Sequence, residues 1–388
     1  MDTSALYDLT PVVKVALAGM VLAAGPLAWV WLRHRGGRPT ARVRALTLLT
    51  LFLTFDLVLF GAFTRLSDSG LGCPDWPGCY GSASPLGAHQ QIGAAQAALP
   101  SGPVTHSKAW IEMTHRYLAA GVGVLITVLA LASWRLTRGQ GSKVSPWWPL
   151  ATLVWVCLQG AFGALTVTMK LYPAIVSAHL LGGLTLLALL TAQAQAQTNA
   201  PLSVPTGLRR GIFAVCALSA VQIALGAWVS TNYAVLACSD FPTCHGNWWP
   251  TMDFERGFEV RRELGRSGDG AWLPFAALTA IHYSHRLFAY LLLVVLLLLA
   301  WRLHRTATIQ RVPALQRWGW GFAGVAAWQF ASGLSNVVLG WPMPAALAHT
   351  AGAAVLTMLL TALVVRMLEG SKSMAPRHSF SATARTTP

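Results

Sequence analysis

Long apolar stretches dominate the pattern of hydrophobic and polar positions along this chain of 388 residues. They lie at about 12–33, 43–65, 109–134, 147–168, 173–195, 209–231, 272–301, 316–339 and 344–367. Each stretch approaches or exceeds the roughly 20 apolar residues that an α-helix needs to cross the hydrocarbon core of a bilayer. The pattern therefore predicts an all-α polytopic membrane protein with nine transmembrane helices.

The composition and the charge distribution agree with this class of protein. Hydrophobic residues make up 54% of the chain and charged residues 11%. The basic residues concentrate in alternate loops, at about 33–44, 135–143, 209–210, 302–317 and 366–385. By the positive-inside rule these loops are cytoplasmic, so the N-terminus is expected outside and the C-terminus inside. Topology thus accounts for the net charge of +15, and no basic soluble domain indicates a nucleic-acid partner.

The charges around the first apolar stretch bear on localisation. Asp2 and Asp8 precede this stretch, and its arginine cluster follows it. A secretory signal peptide has the opposite order, and a mitochondrial transit peptide is rich in arginine and poor in acidic residues. We therefore expect a multi-pass protein of a bacterial inner membrane.

An internal repeat relates the two halves of the chain. Four histidines form two pairs whose members recur at an offset of 170 residues, and two C-x5-C motifs recur at an offset of 165. The recurring residues are His115 with His285, His179 with His349, Arg116 with Arg286, Cys73 with Cys238, and Cys79 with Cys244. Such self-similarity indicates a duplicated structural unit. Since each unit holds four helices, an even number, the two units are expected to be parallel four-helix bundles.

The repeat divides the chain into four segments. An extra N-terminal helix occupies 1–42, the first bundle 43–200, the second bundle 201–368, and a disordered cytoplasmic tail 369–388. The first helix has no later counterpart. The expected architecture is one helix followed by two bundles of four.

The histidine pairs indicate haem ligation. Each of the four lies in the first turns of a helix that enters from the outer face, so all four are expected at one depth. Two imidazoles from two helices of one bundle can bind haem iron from opposite sides. Zinc would require three or four protein ligands. Since Cys244 and His245 belong to a C-x5-C-H sequence rather than C-x-x-C-H, any haem is expected to be noncovalent.

One position breaks the symmetry of the repeat. Glu112 stands three residues before His115, whereas its counterpart in the second half is His282. A spacing of three residues places Glu112 and His115 on one helix face. The carboxylate could act as an acid or base or stabilise a developing cation; alternatively, it is a hydrogen-bond partner of His115. In the first interpretation the first half is the reaction site and the second an electron-transfer centre.

The arginines and cysteines of the repeat have two interpretations each. Arg116 and Arg286 could pair with haem propionates or extend toward lipid headgroups. The pairs Cys73/Cys79 and Cys238/Cys244 lie in long loops expected on the oxidising side, where each can form a disulfide. Those disulfides either staple the loops or have a redox role.

Several motifs together resemble the haem A synthase family. They are the sequence GAFTRLSDSGLGCPDWPGC at 61–79, the sequence EMTHR at 112–116, His179, His285-Arg286 and His349. The resemblance covers about 45–367. The helix at 12–33 lies outside the eight that are usual for this family.

The resemblance implies an oxidoreductase that converts a ring methyl of haem O to the formyl group of haem A through successive hydroxylations. It implies haem b between His285 and His349 as a cofactor, and the substrate between His115 and His179, near Glu112. A haem O synthase is a plausible partner, and the electron acceptor is not identified by any residue. The alternative is a diheme b-type electron-transfer protein, for which four helix-borne histidines would suffice.

Overall fold

The described part of the chain is helical throughout. The computed structural model describes residues 10–138, 146–198 and 200–374. Within those ranges it has no strands, only isolated β-bridges. The helices are α1 (Thr10–Arg33), α2 (Pro39–Leu66), α3 (His89–Ala98), α4 (His106–Arg138), α5 (Trp147–Thr168), α6 (Pro173–Ala196), α7 (Thr206–Thr231), α8 (Phe254–Gly257), α9 (Phe275–Gln310), α10 (Pro313–Val338) and α11 (Met343–Met374).

Eight of these helices are long and apolar enough to cross a membrane: α1, α2, α4, α5, α6, α7, α9 and α11. The all-α class and the polytopic character predicted from the sequence are therefore confirmed. The ninth predicted stretch does form a helix, α10, whose 26 residues match the length of the others. Its polar content keeps it out of the apolar group, so the described residues contain eight apolar candidate spans, not nine.

Prolines and turn residues set several helix boundaries. Pro39, Pro173 and Pro313 stand in the first turn of α2, α6 and α10, where a missing N–H leaves no hydrogen bond unmade. Arg311, after α9, adopts the left-handed conformation with φ 53°, which ends that helix before the turn into α10. The two long helices α9 and α10 consequently fold back on each other.

The two largest apolar clusters largely follow the two halves of the sequence. One is formed by α7, α9, α10 and α11, with Phe322 and Leu296 at its centre. The other is formed by α1, α2, α4 and α6, around Leu125 and Leu187. Helices α6 and α11, which the repeat makes equivalent, pack against each other between the clusters.

Equivalent residues of the two halves also touch directly. The guanidinium of Arg65 donates to the carbonyl oxygen of Ser230 at 2.6 Å. The hydroxyl of Tyr233 donates to Asp68 at 2.8 Å. Both pairs join positions 165 residues apart. The C-terminal ends of α2 and α7 therefore lie side by side.

The extra N-terminal helix packs on the first half. A Cβ atom at Gly19 of α1 would lie 2.7 Å from Cβ of Ala120 in α4, so a glycine is needed for this close approach. Val15 of α1 belongs to the same apolar cluster as Cys73 and Cys79. Helix α1 thus covers α4 and the first cysteine loop.

The end of the chain differs from the expected boundary at 368. Helix α11 continues to Met374 because its last turns pack on the segment before α7: Leu202 donates its N–H to the carbonyl of Arg366 at 2.9 Å, and Gly370 lies against the Leu202 backbone. The rest of the predicted disordered tail, 375–388, is outside the described residues.

Candidate functional site: two histidine pairs

Each of the four repeated histidines faces a glycine on another helix. The pairs are His115 of α4 with Gly61 of α2, His179 of α6 with Gly163 of α5, His285 of α9 with Gly226 of α7, and His349 of α11 with Gly333 of α10. A Cβ built on these glycines would approach the nearest imidazole atom to 3.0, 3.4, 2.9 and 3.1 Å, respectively. In three of the four, a side chain would therefore press on the ring.

The second pair has the spacing of two axial ligands. The ring centroids of His285 and His349 are 6.4 Å apart, with an angle of 84° between the ring planes. Metal–imidazole bonds are about 2.0 Å long, so two imidazoles on opposite sides of one ion have centroids about 6 Å apart. The residues of this pair therefore fit a haem iron bound from both sides.

Polar side chains hold both histidines of the second pair. The amide nitrogen of Gln222 lies 3.0 Å from Nδ1 of His285, and the hydroxyl of Ser332 lies 3.0 Å from Nδ1 of His349. The same amide nitrogen of Gln222 lies 3.5 Å from Nε2 of His285, so Nδ1 is its nearer partner, and contacts at Nδ1 fix the orientation of a ligating ring. Because the two ends of a glutamine amide are interchangeable by rotation and Oε1 of Gln222 has no partner, Gln222 can also accept from Nδ1–H.

The first pair lacks this polar support. The repeat aligns Gln222 with Leu57 and Ser332 with Phe162. Nδ1 of His179 is buried without a hydrogen-bond partner. His115 instead has the ring of Phe60 parallel to its own, at a centroid distance of 6.3 Å. The first pair therefore lies in an apolar setting, and Nδ1 of His179 has no hydrogen-bond partner.

Glu112 is buried beside the first pair but is held by other groups. It is 4% exposed. One carboxylate oxygen accepts from the backbone N–H of Cys73 at 2.8 Å, and the other is bonded to the guanidinium of Arg116. The alternative in which Glu112 is only a hydrogen-bond partner of His115 has no support from these contacts. The acid is instead tied to the first cysteine loop.

Arg116 and Arg286 clamp the two cysteine loops. Arg116 donates to the carbonyl of Asp75 at 2.8 Å and also to those of Pro77 and Gly78. Arg286 donates to the carbonyls of Asp240 and Thr243, which are equivalent to Asp75 and Gly78, and also to that of Cys238, at 2.7–3.1 Å. These bonds use the guanidinium donors that the sequence assigned to haem propionates or to lipid headgroups.

The predicted disulfides are both present. Cys73 is bonded to Cys79, and Cys238 to Cys244. An aspartate inside each loop caps its turn: Asp75 accepts from the N–H of Gly81 at 2.7 Å. Asp240 is bonded to the Thr243 hydroxyl at 2.6 Å and to two backbone N–H groups.

These hydrogen bonds, chiefly that of Thr243, hold the pKa of Asp240 well below its usual range. Asp240 lies outside the apolar helices and stays ionised at neutral pH. Its negative charge therefore continues to order the second loop, which Arg286 holds from the other side.

Sequence analysis paired His285 with His349, whose ring centroids lie 6.4 Å apart, but it missed the residues that contact the four histidines. The facing glycines and the polar pair Gln222 and Ser332 were not singled out. A signal was available, since Gly61 recurs as Gly226 at the offset of the cysteines and Gly163 recurs as Gly333 at the offset of the histidines. Applying both offsets to every glycine finds the four contacts.

The fold and the site define a class: a helical membrane protein with two buried imidazole pairs on a duplicated scaffold, one pair with a carboxylate nearby. Comparison with known proteins narrows that class. The profile of the COX15-CtaA family, described as cytochrome oxidase assembly proteins, matches residues 44–363. The chain therefore belongs to this family.

Several relatives carry the name heme A synthase. The protein of Shewanella oneidensis is 36% identical over 331 residues, covering 81% of this chain and 93% of the relative. That of Chelativorans sp. is 33% identical, covering 79% and 86%. That of Halalkalibacterium halodurans is 27% identical, covering 82% and 94%. Helix α1 lies outside the region that the family profile matches.

Proposed function

We propose that this chain is a haem A synthase, an oxidoreductase that converts haem O to haem A, and that the reaction takes place at its first histidine pair. Membership of the COX15-CtaA family and the relatives named for this activity support the reaction. The proposed position of the reaction rests on one observation: Glu112 is buried in α4 about one helical turn before His115, and the second half has His282 at the equivalent position.

The second pair, His285 and His349, is the proposed site of a resident, noncovalent haem b. The centroid distance of 6.4 Å and the polar partners of both Nδ1 atoms support this assignment. A bound haem b would supply one-electron transfer. The protein's own part is to hold two imidazoles in fixed orientations and to exclude water from a buried, apolar setting.

The first pair, His115 and His179, is the proposed substrate site. Its imidazoles have no comparable polar anchor, which suits a ligand that must enter and leave. Haem O has to expose a ring methyl to oxidation, and loss of hydride equivalents from that methyl leaves a cationic carbon. The carboxylate of Glu112 is placed to stabilise that charge or to accept a proton, and water then attacks the carbon.

The first cysteine loop positions Glu112. One carboxylate oxygen is bonded to Arg116 and the other accepts from the N–H of Cys73. The loop carbonyls accept hydrogen bonds from Arg116 and Arg286, so only the remaining guanidinium donors are free to bind haem propionates. We propose loop positioning as their main role.

The proposed arrangement of the helices in the membrane follows the internal repeat. We assign residues 43–200 and 201–368 to two parallel four-helix bundles, with α10 as the less apolar fourth member of the second set and 1–42 as an added helix. The direct contacts Arg65–Ser230 and Tyr233–Asp68 support an axis along the membrane normal between the bundles. The proposed location is a bacterial inner membrane, with the N-terminus outside and the C-terminus in the cytoplasm.

The chemistry also implies partners. Haem O is too apolar to travel freely through water, so a haem O synthase in the same membrane is the proposed donor. An acceptor must take the electrons released by oxidation of the methyl group, and no residue identifies it.

Extraction of haem from the expressed protein tests the reaction. The chain is produced in a host that makes haem O but lacks its own haem A synthase, and the acid-extracted haems are separated by chromatography. A haem A synthase yields formylated haem A together with haem b. Recovery of haem b alone, with haem O supplied and the protein folded, would support the diheme electron-transfer alternative instead.

Thiol labelling tests the orientation. Spheroplasts are treated with a membrane-impermeant reductant and then with an impermeant maleimide. The four loop cysteines should be labelled only after reduction, because they are oxidised and face outward. Labelling that requires permeabilisation of the membrane would reverse the proposed topology.

A further inference from the structure

The loop that precedes α9 lines an open cavity of about 570 Å³ whose lining contains none of the four paired histidines. Three arginines, one acid, a serine and a tyrosine contribute to its lining: Arg261, Arg262, Arg266, Glu263, Ser267 and Tyr172. Tyr172 comes from the other half of the chain, directly before α6. The cavity therefore lies where the second-half loop meets the first half.

Two buried polar atoms of this lining have no partner. Arg262 is 3% exposed and Ser267 is 4% exposed. Nε of Arg262 and Oγ of Ser267 make no hydrogen bond, although the other end of the Arg262 guanidinium donates to Asn232 at 2.5 Å. Buried polar groups in proteins nearly always have a partner. Both atoms belong to residues that line the cavity, and each is a buried donor that lacks an acceptor.

The charge of the lining favours an anion. The three arginines outnumber the one carboxylate, that of Glu263. A second acid, Glu259, is committed to the loop itself, because it accepts from the N–H of Gly268 at 2.8 Å. Burial lowers the pKa of Arg262, against the attraction of Glu259. The desolvated charge of Arg262 is thus one that an oxyanion would stabilise.

The position of the cavity suits a phosphate at the membrane surface. Tyr172 lies at the entry of an apolar helix. Trp272, in the same loop, is 74% exposed, with the guanidinium of Arg266 3.8 Å from its ring centroid. Exposed tryptophan and tyrosine at helix ends mark the level of the lipid headgroups. Phosphate groups of phospholipids lie at this level.

We propose that this cavity is a phosphate-binding site, in which Arg261, Arg262 and Ser267 donate to the oxygens of one phosphate group. The group comes either from an anionic phospholipid headgroup or from free phosphate. The site is independent of the haem chemistry, since none of its residues belongs to a histidine pair or contacts one.

The test compares variants of the purified, full-length protein. Arg262→Gln removes the buried charge, and Arg261→Gln removes an exposed one, which keeps the test valid if the buried variant folds poorly. The matched control is Arg256→Gln, which lies in the same loop, outside the cavity lining, with a side chain that is 50% exposed. One arm titrates inorganic phosphate by calorimetry. The other measures phosphatidylglycerol retained from mixed phosphatidylglycerol–phosphatidylcholine vesicles by native mass spectrometry.

Each outcome decides the proposal. Loss of one charge-assisted hydrogen bond should weaken binding roughly tenfold or more in either arginine variant, with the Arg256→Gln control unchanged. A response to inorganic phosphate identifies a site for the free ion, and retention of phosphatidylglycerol without that response identifies a lipid site. The proposal is overturned if the unaltered protein binds neither probe, or if the control loses as much affinity as the cavity variants.

Discussion

The two histidine pairs have the same scaffold but different supports. In both halves a glycine faces each imidazole, and an arginine next to the first histidine clamps a disulfide loop. Only the second half places a polar side chain on Nδ1 of both histidines, Gln222 and Ser332. The two halves keep the histidines but differ in the side chains that contact them, and we propose that the roles of the two pairs differ accordingly.

The supporting contacts explain why one pair suits a resident cofactor and the other a substrate. Partners at the distal nitrogen of a ligating histidine typically change metal affinity by about 10- to 100-fold. Leu57 and Phe162 occupy the equivalent positions in the first half and provide no such bond. We therefore propose that the second pair is preorganised for permanent ligation and that the first is suited to exchange.

The halves also differ in how they neutralise the clamping arginine. Arg116 forms a buried ion pair with Glu112. Arg286 instead contacts the imidazole of His282, whose Nε2 lies 3.4 Å from the guanidinium. His282 itself is fixed by the carbonyl of Ala234 at 2.9 Å from Nδ1. The first half thus has an acid about one helical turn from its first histidine, and the second half has a histidine at the equivalent position.

The largest expected effect comes from removing a ligand of the second pair. His349→Ala should abolish the low-spin b-type absorption spectrum of the purified protein, because a single imidazole cannot keep the iron six-coordinate with two nitrogens. The matched variant His179→Ala should retain that spectrum while losing haem A formation. The assignment of the halves would be reversed if His179→Ala lost the resident spectrum and His349→Ala kept it.

Replacement of Glu112 separates chemistry from binding. Glu112→Gln keeps an acceptor for the Cys73 N–H but removes the negative charge, so haem A formation should fall by about 10²- to 10⁴-fold. The b-type spectrum should remain, and bound haem O should accumulate. Chromatography of the extracted haems measures both, including any hydroxylated intermediate product.

The control for Glu112 must exclude a folding defect, since breaking a buried ion pair can cost about 3–5 kcal/mol. Glu112→Asp keeps the charge, and the thermal midpoint of both variants should be measured. Near-normal haem A yield in a folded Glu112→Gln protein would leave the carboxylate with only its loop contacts. The comparison of the halves would then depend on Gln222 and Ser332 alone.

Periodicity and the repeated cysteines were sufficient to predict the long apolar helices and the two disulfides. Hydrophobic runs of about 20 residues have few other interpretations, and the recurrence of His115 as His285 reported a duplication directly. The span at 316–339 was overestimated because α10 mixes apolar residues with Arg317, Gln329 and Asn336. A helix packed in a bundle can keep its polar residues on shielded faces, which a hydropathy window does not distinguish.

The contacts of Arg116 and Glu112 with the first cysteine loop could not be predicted from the sequence, because they join residues that are far apart in the chain. Arg116 was one of two arginines expected near haem propionates because it lies near the outer interface and a guanidinium suits carboxylates. In three dimensions it meets the carbonyls of a loop without regular structure, whose oxygens need donors. The link between Glu112 and Cys73 spans 39 residues, and no helical spacing encodes it.

Substitution of Gly226 tests whether the imidazole of His285 needs the space that this glycine leaves. In Gly226→Ala the new Cβ would lie 2.9 Å from Cε1 of His285, so the imidazole must shift. We expect the fraction of protein that holds haem b to fall several-fold, as overpacking typically costs about 1–3 kcal/mol. Gly211→Ala on the same helix, with nothing within 4 Å of its added Cβ, is the control, and the haem-to-protein ratio is the measurement. An equal loss in both variants would point to a general effect on α7.

The smallest effect should come from exchanging a support between the halves. Gln222→Leu gives His285 the residue found at the equivalent place beside His115, so the ring loses its contact at Nδ1 but keeps its iron-binding nitrogen. We expect about tenfold weaker retention of haem b, measured as the rate of haem transfer to an apo-globin acceptor, with the low-spin spectrum still present in freshly purified protein. Ser332→Ala should have a similar effect on His349, and the two changes together should exceed either alone. If Gln222→Leu retains haem b as well as the unaltered protein does, the polar contacts are incidental, and the difference between the halves must lie in Glu112 and His282.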